Sequence, residues 1–491
     1  MIRRRAIMLL VAVAAGLVAA LAVLTLERQR ADLVVETRSL AESPATIWRT
    51  PDTDAAPLVV IAHGYAGSRQ MMQALAITLA RSGFVAVTFD FQGHGRHPDP
   101  MNGDVTSLDG ATAQLVAQTV SVTRAARALP GVAGPVALVG HSMATDIVIR
   151  ASAQIEDTAA VVAISMYSDA VEPGFPERLL ILSGAREGRL REVALDRLQQ
   201  LDPDAAEGET IRAGAVERRA VAAPLVGHVG VLYSATTLSE TRDWIAGAMG
   251  RPAFGPLPNP GPWIAVLLGA LVLLAWPLSG LLGRTPPPTP RPWTTALVPL
   301  AAPVLPALAA AALFPPSLLG LGAFGALTAF FGVWGGVQLA TLWRAGRRPG
   351  PVAGAAGLAL LLLWGLVLFA PALDRYGAAF LPRGPRLEVM GLLFLGTVPF
   401  CLGDALLTRG LGWLPRLAVR LLPLAVLLVA MLLSPRLGIA FTVLPVMILF
   451  WAVYGLAARW LVAGRGIWAT GLGLGLILAW AIAASTPLVA A

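Results

Sequence analysis

Nine runs of roughly twenty apolar residues decide most of what this chain can become. They lie at Ala6–Leu26, Trp263–Leu282, Trp293–Leu313, Leu318–Leu342, Val352–Leu373, Val389–Leu407, Leu417–Leu433, Ile439–Ala458 and Ile467–Ala484. At 1.5 Å of rise per residue, about twenty helical residues cross the roughly 30 Å hydrocarbon core of a bilayer. A chain that is 56% hydrophobic and 13% charged, with a mean hydropathy of +0.69, must place much of its length in lipid. The first run is longer than a signal-peptide core, and no small-residue cleavage site precedes Glu27, so residues 1–26 are expected to remain as an anchor. The run at Leu417–Leu433 is the weakest: it is short, and Arg420 in its first turn must snorkel toward the interface.

The net charge of +8 invites a nucleic-acid reading, but the charges separate along the chain. Residues 27–260 hold 20 arginines and 26 acids, so this hydrophilic stretch is mildly acidic and offers no basic face for nucleic acid. The remaining arginines belong to the loops between apolar runs. If all nine runs cross, one side collects Arg3, Arg4, Arg5, Arg284, Arg291, Arg344, Arg347, Arg348, Arg409, Arg416, Arg420, Arg459 and Arg465 without an acid. The other collects only Arg375, Arg383, Arg386 and Arg436, with Asp374 and Glu388. Positive loops stay cytoplasmic. The amino terminus is therefore expected in the cytoplasm, and the hydrophilic stretch outside it. All 37 basic residues are arginine, as in proteins of GC-rich bacteria, which makes a bacterial inner (cytoplasmic) membrane the expected location. Cys401 is the single cysteine, so no intrachain disulfide can form.

Residues 27–250 alternate short apolar runs with helical patterns, the signature of βαβ units and a mostly parallel sheet. Strands are expected at "LVVIAHG", "FVAVTFDF", "VALVGHS", "AVVAISM", "RLLILSG" and "VERRAV", and helices at 70–81, 108–129, 143–153, 187–201 and 238–249. Residues 251–262 form a proline-rich tether to a polytopic all-α domain over 263–491. Only about a dozen residues separate the strands near Met166 and Leu179, which leaves no room for a large lid.

"LVGHSMA" places Ser142 between an apolar strand and a helix, where a tight turn lifts a nucleophile above the sheet's carboxyl edge. Serine needs a base, an acid to orient that base, and N–H donors for an oxyanion. "IAHGYAGS" supplies His63, Gly64 and Tyr65 at the end of an earlier strand, so that the Tyr65 and Met143 N–H groups are the expected oxyanion donors. Gly140 and Ala144 are small enough for strand and helix to pass, and Ala144 stands where glycine is usual. "LLILSGARE" brings Glu187, and "PLVGHVGVLYS" brings His228. The order serine, acid, histidine is the one such a fold requires. Asp169, Asp196, Asp202 and Asp204 are alternative acids.

With "HGYAGS", "FDFQGHG", "GHSMA", "SGARE" and "GHVGVLY" in this order, residues from about Leu33 to Gly250 resemble an α/β-hydrolase. The resemblance implies a doubly wound sheet of the eight-stranded type and serine-esterase or lipase-like chemistry. It also implies a triad of Ser142, His228 and Glu187, with His63, Gly64, Gly140, His141 and Asp90 in support. Gly93, His94 and Gly95 read as turn formers, and Asp90 as a local hydrogen-bond acceptor. The five histidines, including His97, lack zinc-ligand spacing, so no metal and no cofactor is expected. Asp404 lies about a turn from Arg409 and is expected to snorkel toward the interface.

The expected substrate is an acyl ester or lipid-like molecule, in contact with membrane lipids. Eight carboxy-terminal runs exceed what anchoring needs, which keeps a transporter or scaffold with a hydrolase-like sensing domain in play. Peptide cleavage is a further alternative, because fold alone does not choose a substrate.

Overall fold

The computed structural model describes all residues except Met1, Arg284, Pro286, Pro287, Pro316, Ser317, Ile439 and Ala463, together with the side chains of Ile2, Pro435 and Arg436. Arg284 and Arg436, counted above among the loop charges, therefore lie outside the description, as does Ile439 at the start of an expected span. The chain divides into two compact units: Ala22–Ala265 with Arg375–Ala379, and Met1–Leu21 with Val266–Asp374 and Phe380–Ala491.

The first unit is built on nine strands: β1 (Val34–Leu40), β2 (Ser43–Arg49), β3 (Ala56–Ala62), β4 (Val85–Phe89), β5 (Val132–His141), β6 (Thr158–Ile164), β7 (Arg178–Gly184), β8 (Thr210–Ala213) and β9 (Val216–Ala223). They join in the order β1-β2-β4-β3-β5-β6-β7-β9-β8. The pairs from β4 through β9 are parallel, while β1, β2 and β8 add antiparallel edges. All six expected strands form, and three more extend the eight-stranded expectation to nine. The central strands carry unbroken apolar runs because helices cover both faces; every residue of β3 is buried.

After the amino-terminal helix α1 (Ile2–Arg28), the layers come from α2 (Gln73–Arg81), α3 (Ala113–Arg127), α4 (Ala144–Ser152), α5 (Gly188–Gln199) and α6 (Ala235–Ala248). Alternation along a strand sends successive side chains to opposite faces. Val59, Ile61, Val139, Val162, Leu180 and Leu182 share one core with Leu75 and Leu79 of α2 and Leu238 and Ile245 of α6. The intervening Leu58, Val60, Leu138, Val161 and Ile181 are also fully buried, on the face where α3 packs beside α4. Each such side chain contributes about 1.5–3 kcal/mol of burial. Residues 165–177, between β6 and β7, hold turns and no helix, so no lid rises there. Parallel strands end together at one edge, and that edge carries the residues that follow.

Among the described residues, nine helices are long and apolar enough to cross a membrane: Arg3–Arg28, Pro260–Leu281, Trp293–Leu313, Phe324–Arg344, Ala355–Tyr376, Pro385–Thr408, Trp413–Leu433, Val443–Leu461 and Ile467–Ser485. They coincide with the nine apolar runs, including the weakest, and their length and composition are those of the spans of a multi-pass membrane protein. In the second unit, small residues let backbones meet. A Cβ on Gly335 would strike the Pro399 and Phe400 backbone, and one on Gly396 would strike Thr328 O. Thr397 Oγ1 donates across to Gly475 O at 2.8 Å, satisfying a hydroxyl where no water competes.

Candidate active site

β5 ends in Gly140 and His141, and the chain turns at once into α4. Ser142 makes that turn with φ +55°, a left-handed conformation that is costly for a residue with a side chain. Its N–H stays in the sheet, donating to Ile164 O at 2.8 Å, so the next free position for an oxyanion donor is Met143. Thr145 locks the turn by donating its N–H and its hydroxyl to Ser142 O, at 2.9 and 2.7 Å. Gly140 has no alternative: a Cβ there would lie 2.5 Å from Ala144 O and 2.8 Å from Val148 Cγ2. Ala144 itself fits, fully buried as the first residue of α4.

His228 stands over this turn from the loop after β9. Its Nδ1 lies 2.6 Å from Glu187 Oε1 and its Nε2 2.9 Å from Ser142 Oγ. With Nδ1–H donating to the carboxylate, Nε2 is left to accept from the serine hydroxyl. Glu187 caps the start of α5, but its side chain turns away from the helix and is 7% exposed. Glu187 Oε2 accepts from Gly184 N–H at 2.6 Å and from Ser165 Oγ at 2.8 Å. Burial raises its pKa, but the bonds from His228, Gly184 and Ser165 outweigh that and hold the carboxyl below its ordinary value. The alternative acids lie elsewhere. Asp169 is exposed and faces Arg197 at 3.8 Å, and Asp202 accepts from Asp204 N–H in its own loop.

Ser165 is the participant that sequence reasoning missed. It directly follows β6 as Ser142 follows β5, with an almost identical φ of +54°. Its position directly after an apolar strand, beside the nucleophile strand, was the available signal.

The supporting residues sort into clear tasks. His141 donates Nε2–H to His228 O at 2.8 Å and so fixes the loop that carries the imidazole. Burial depresses its pKa to about 4, so it is neutral. His63 donates Nδ1–H to Gly64 O at 2.8 Å and accepts from Phe91 N–H at 3.1 Å; burial again lowers its pKa. Gly64 passes against the nucleophile, where a Cβ would lie 2.9 Å from Ser142 Cβ, and Tyr65 follows it directly. Asp90, fully buried, pairs with Arg69 at 2.5 Å and accepts from the Arg69 and Arg96 N–H groups. Among the described residues no group of three or more His, Cys, Asp or Glu side chains is placed to hold a metal.

In the helical unit, Asp404 is buried and paired with Arg420 at 3.1 Å, and Arg420 in turn lies 3.9 Å over the Trp451 ring. With Arg420 beside it, the Asp404 carboxylate is not left as an uncompensated buried charge.

Residues 53–204 match the family model described as serine aminopeptidase, S33. Among solved structures, a Thermus thermophilus protein is 18% identical, covering 45% of this chain and 99% of its own, with a TM-score of 0.32. A dienelactone hydrolase from Anabaena variabilis is 17% identical, over 44% and 97%, with a TM-score of 0.33. An HSL homologue from a metagenome library is 18% identical, over 50% and 98%, with a TM-score of 0.33. A comparison with curated protein sequences returns no match.

Proposed function

We propose that the α/β-hydrolase domain at residues ~30–250 makes this chain a membrane-bound serine hydrolase that cleaves or transfers acyl esters. The observation that carries the reading is one imidazole within hydrogen-bond distance of both a strained serine hydroxyl and a buried carboxylate. Ser142 Oγ attacks the acyl carbonyl carbon while His228 Nε2 takes its proton, and Glu187 stabilises the imidazolium. The carbonyl oxygen gains the negative charge, which the Tyr65 and Met143 N–H groups receive. Collapse of this intermediate expels the alcohol, which takes the proton back from Nε2. Water or a second alcohol then releases the acyl group by the reverse sequence.

Tyr167, Leu225 and Val229 are 67%, 81% and 52% exposed; the first bonds Thr145 through its backbone, and the other two flank His228. Exposed Leu225 and Val229 on the loop that carries His228, and exposed Tyr167 bonded to the nucleophile turn, favour an acyl chain or lipid-like substrate over a small polar one. With the arginine-poor loops outside, the domain faces away from the cytoplasm of a bacterial inner membrane and the amino terminus lies inside.

The family description favours a second reading, removal of amino-terminal residues from peptides. Purified full-length protein given p-nitrophenyl butyrate and aminoacyl p-nitroanilides separates the two. Ester turnover that disappears in Ser142→Ala supports the esterase. Turnover of the anilides alone transfers the assignment to a peptidase, and turnover of neither leaves the sensing-domain alternative.

A further inference from the structure

The arginines at one end of the helical unit do not all point away from one another. A cavity of about 570 Å³ is lined there by Asp404, Arg409, Arg416, Arg420, Arg459 and Arg465. They come from the ends of four helices or the segments joining them, Pro385–Thr408, Trp413–Leu433, Val443–Leu461 and Ile467–Ser485. A neighbouring cavity of about 480 Å³ shares Arg459 and Arg465 and adds Arg4 and Arg5. Asp404 is the one acid among the lining residues, and Arg420 already holds it. Arg416 is braced on Leu411 O at 3.1 Å, and Arg465 on Leu461 O at 3.1 Å and Gly283 O at 2.5 Å. These carbonyls orient guanidinium groups without cancelling their charge.

Arginines that serve only to orient a membrane protein gain by spreading into water and headgroups. Converging seven of them on adjoining concavities with a single carboxylate costs repulsion that partial burial screens poorly. An anion that enters the space offsets that repulsion. Planar guanidinium forks match the oxygens of phosphate, and basic pockets at the ends of membrane helices suit phosphate-bearing headgroups. Ile467 and Leu474 supply apolar wall beside the charges, which a headgroup with attached chains can use and a bare ion cannot.

We propose that this arginine-lined cavity binds a phosphate group, carried by an anionic lipid headgroup or by free phosphate. The site is independent of the ester chemistry. Full-length protein in neutral detergent, titrated with phosphatidic acid, phosphatidylcholine and inorganic phosphate and read by native mass spectrometry and thermal shift, tests it. Phosphatidic acid is expected to bind and stabilise, and phosphatidylcholine is not. The double variant Arg409→Gln, Arg459→Gln is expected to weaken phosphatidic acid at least about tenfold, because two forks are lost. Arg344→Gln with Arg348→Gln removes the same charge outside the cavity and should change it less than about twofold.

Competition by inorganic phosphate identifies free phosphate as a source; binding of phosphatidic acid without such competition identifies the lipid. Should the glutamine pair fail to fold, Arg409→Lys with Arg459→Lys keeps the charge and removes the forks, and a loss of about threefold or more is expected. Equal weakening by cavity and control variants, or no stabilisation of the wild type by either phosphate source, overturns the proposal.

Discussion

In each unit of the molecule a buried acid meets a cationic or cation-forming side chain, and the pairs made by Glu187 and Asp404 have opposite uses. Glu187 and Asp404 are 7% and 6% exposed, and their partners lie at 2.6 and 3.1 Å. Glu187 faces an imidazole that is 49% exposed and whose second nitrogen meets a hydroxyl, so a proton has somewhere to go. Asp404 faces a guanidinium that stays protonated and is sandwiched on Trp451. A buried carboxylate becomes part of a reaction only when its partner can exchange a proton with a third group. Otherwise it fixes a charge and the helix that bears it.

Variants that exchange these roles break or sharpen the contrast. Ser142→Ala removes the third group and should lower ester turnover by about 10⁴-fold or more with an unchanged melting temperature, measured on the same preparation. Glu187→Gln should lower kcat by about 10³-fold, whereas Asp404→Asn should leave ester kinetics within about twofold; equal effects would erase the distinction. Because the Glu187 carboxyl sits below its ordinary value of 4.5, it stabilises the fold above that pH and the benefit is lost as pH falls through the lower folded value. Glu187→Gln should flatten that part of a stability-versus-pH curve.

Arg420→Met leaves Asp404 buried without its cation and should cost about 3 kcal/mol in denaturant titrations, largely recovered by adding Asp404→Leu. His141 is neutral when folded, with a pKa of about 4 against an ordinary 6.5. It stabilises the fold above pH 6.5, and this is lost as pH falls toward 4, on the order of 3 kcal/mol in all. His141→Phe should remove that dependence and slow turnover by loosening the His228 loop. The smallest effect is expected of Ala144→Gly, about 1–2 kcal/mol, since a buried methyl and some helix propensity are lost while the triad is untouched.

The readable parts of the sequence were those with a local period. Uninterrupted apolar runs disclosed β3 through β7 and all the long helices, because burial on every side leaves that trace, whereas β9, VERRAVAA, showed only as a short β-prone segment broken by charges. β1, with the sequence VVETRSL, is mostly exposed, and β8 is four residues at an edge, so neither leaves an apolar run. Ser142, Glu187 and His228 were legible as residues following apolar strands in the right order, and Ser165 offered the same signal of position, while its contact with the acid depends on how β6 and β7 pair. Asp404 and Arg420 lie 16 positions apart on separate helices. Their pairing depends on how those helices pack, which hydropathy does not encode.

The most direct measurement is fluorophosphonate labelling of the full-length protein in intact membranes, followed by mapping of the modified peptide. The adduct is expected on Ser142, absent in Ser142→Ala and reduced at least about a hundredfold in rate in His228→Ala. An adduct on another serine, or labelling of Ser142 that is indifferent to the loss of His228, would contradict the shared-proton arrangement at the sheet edge.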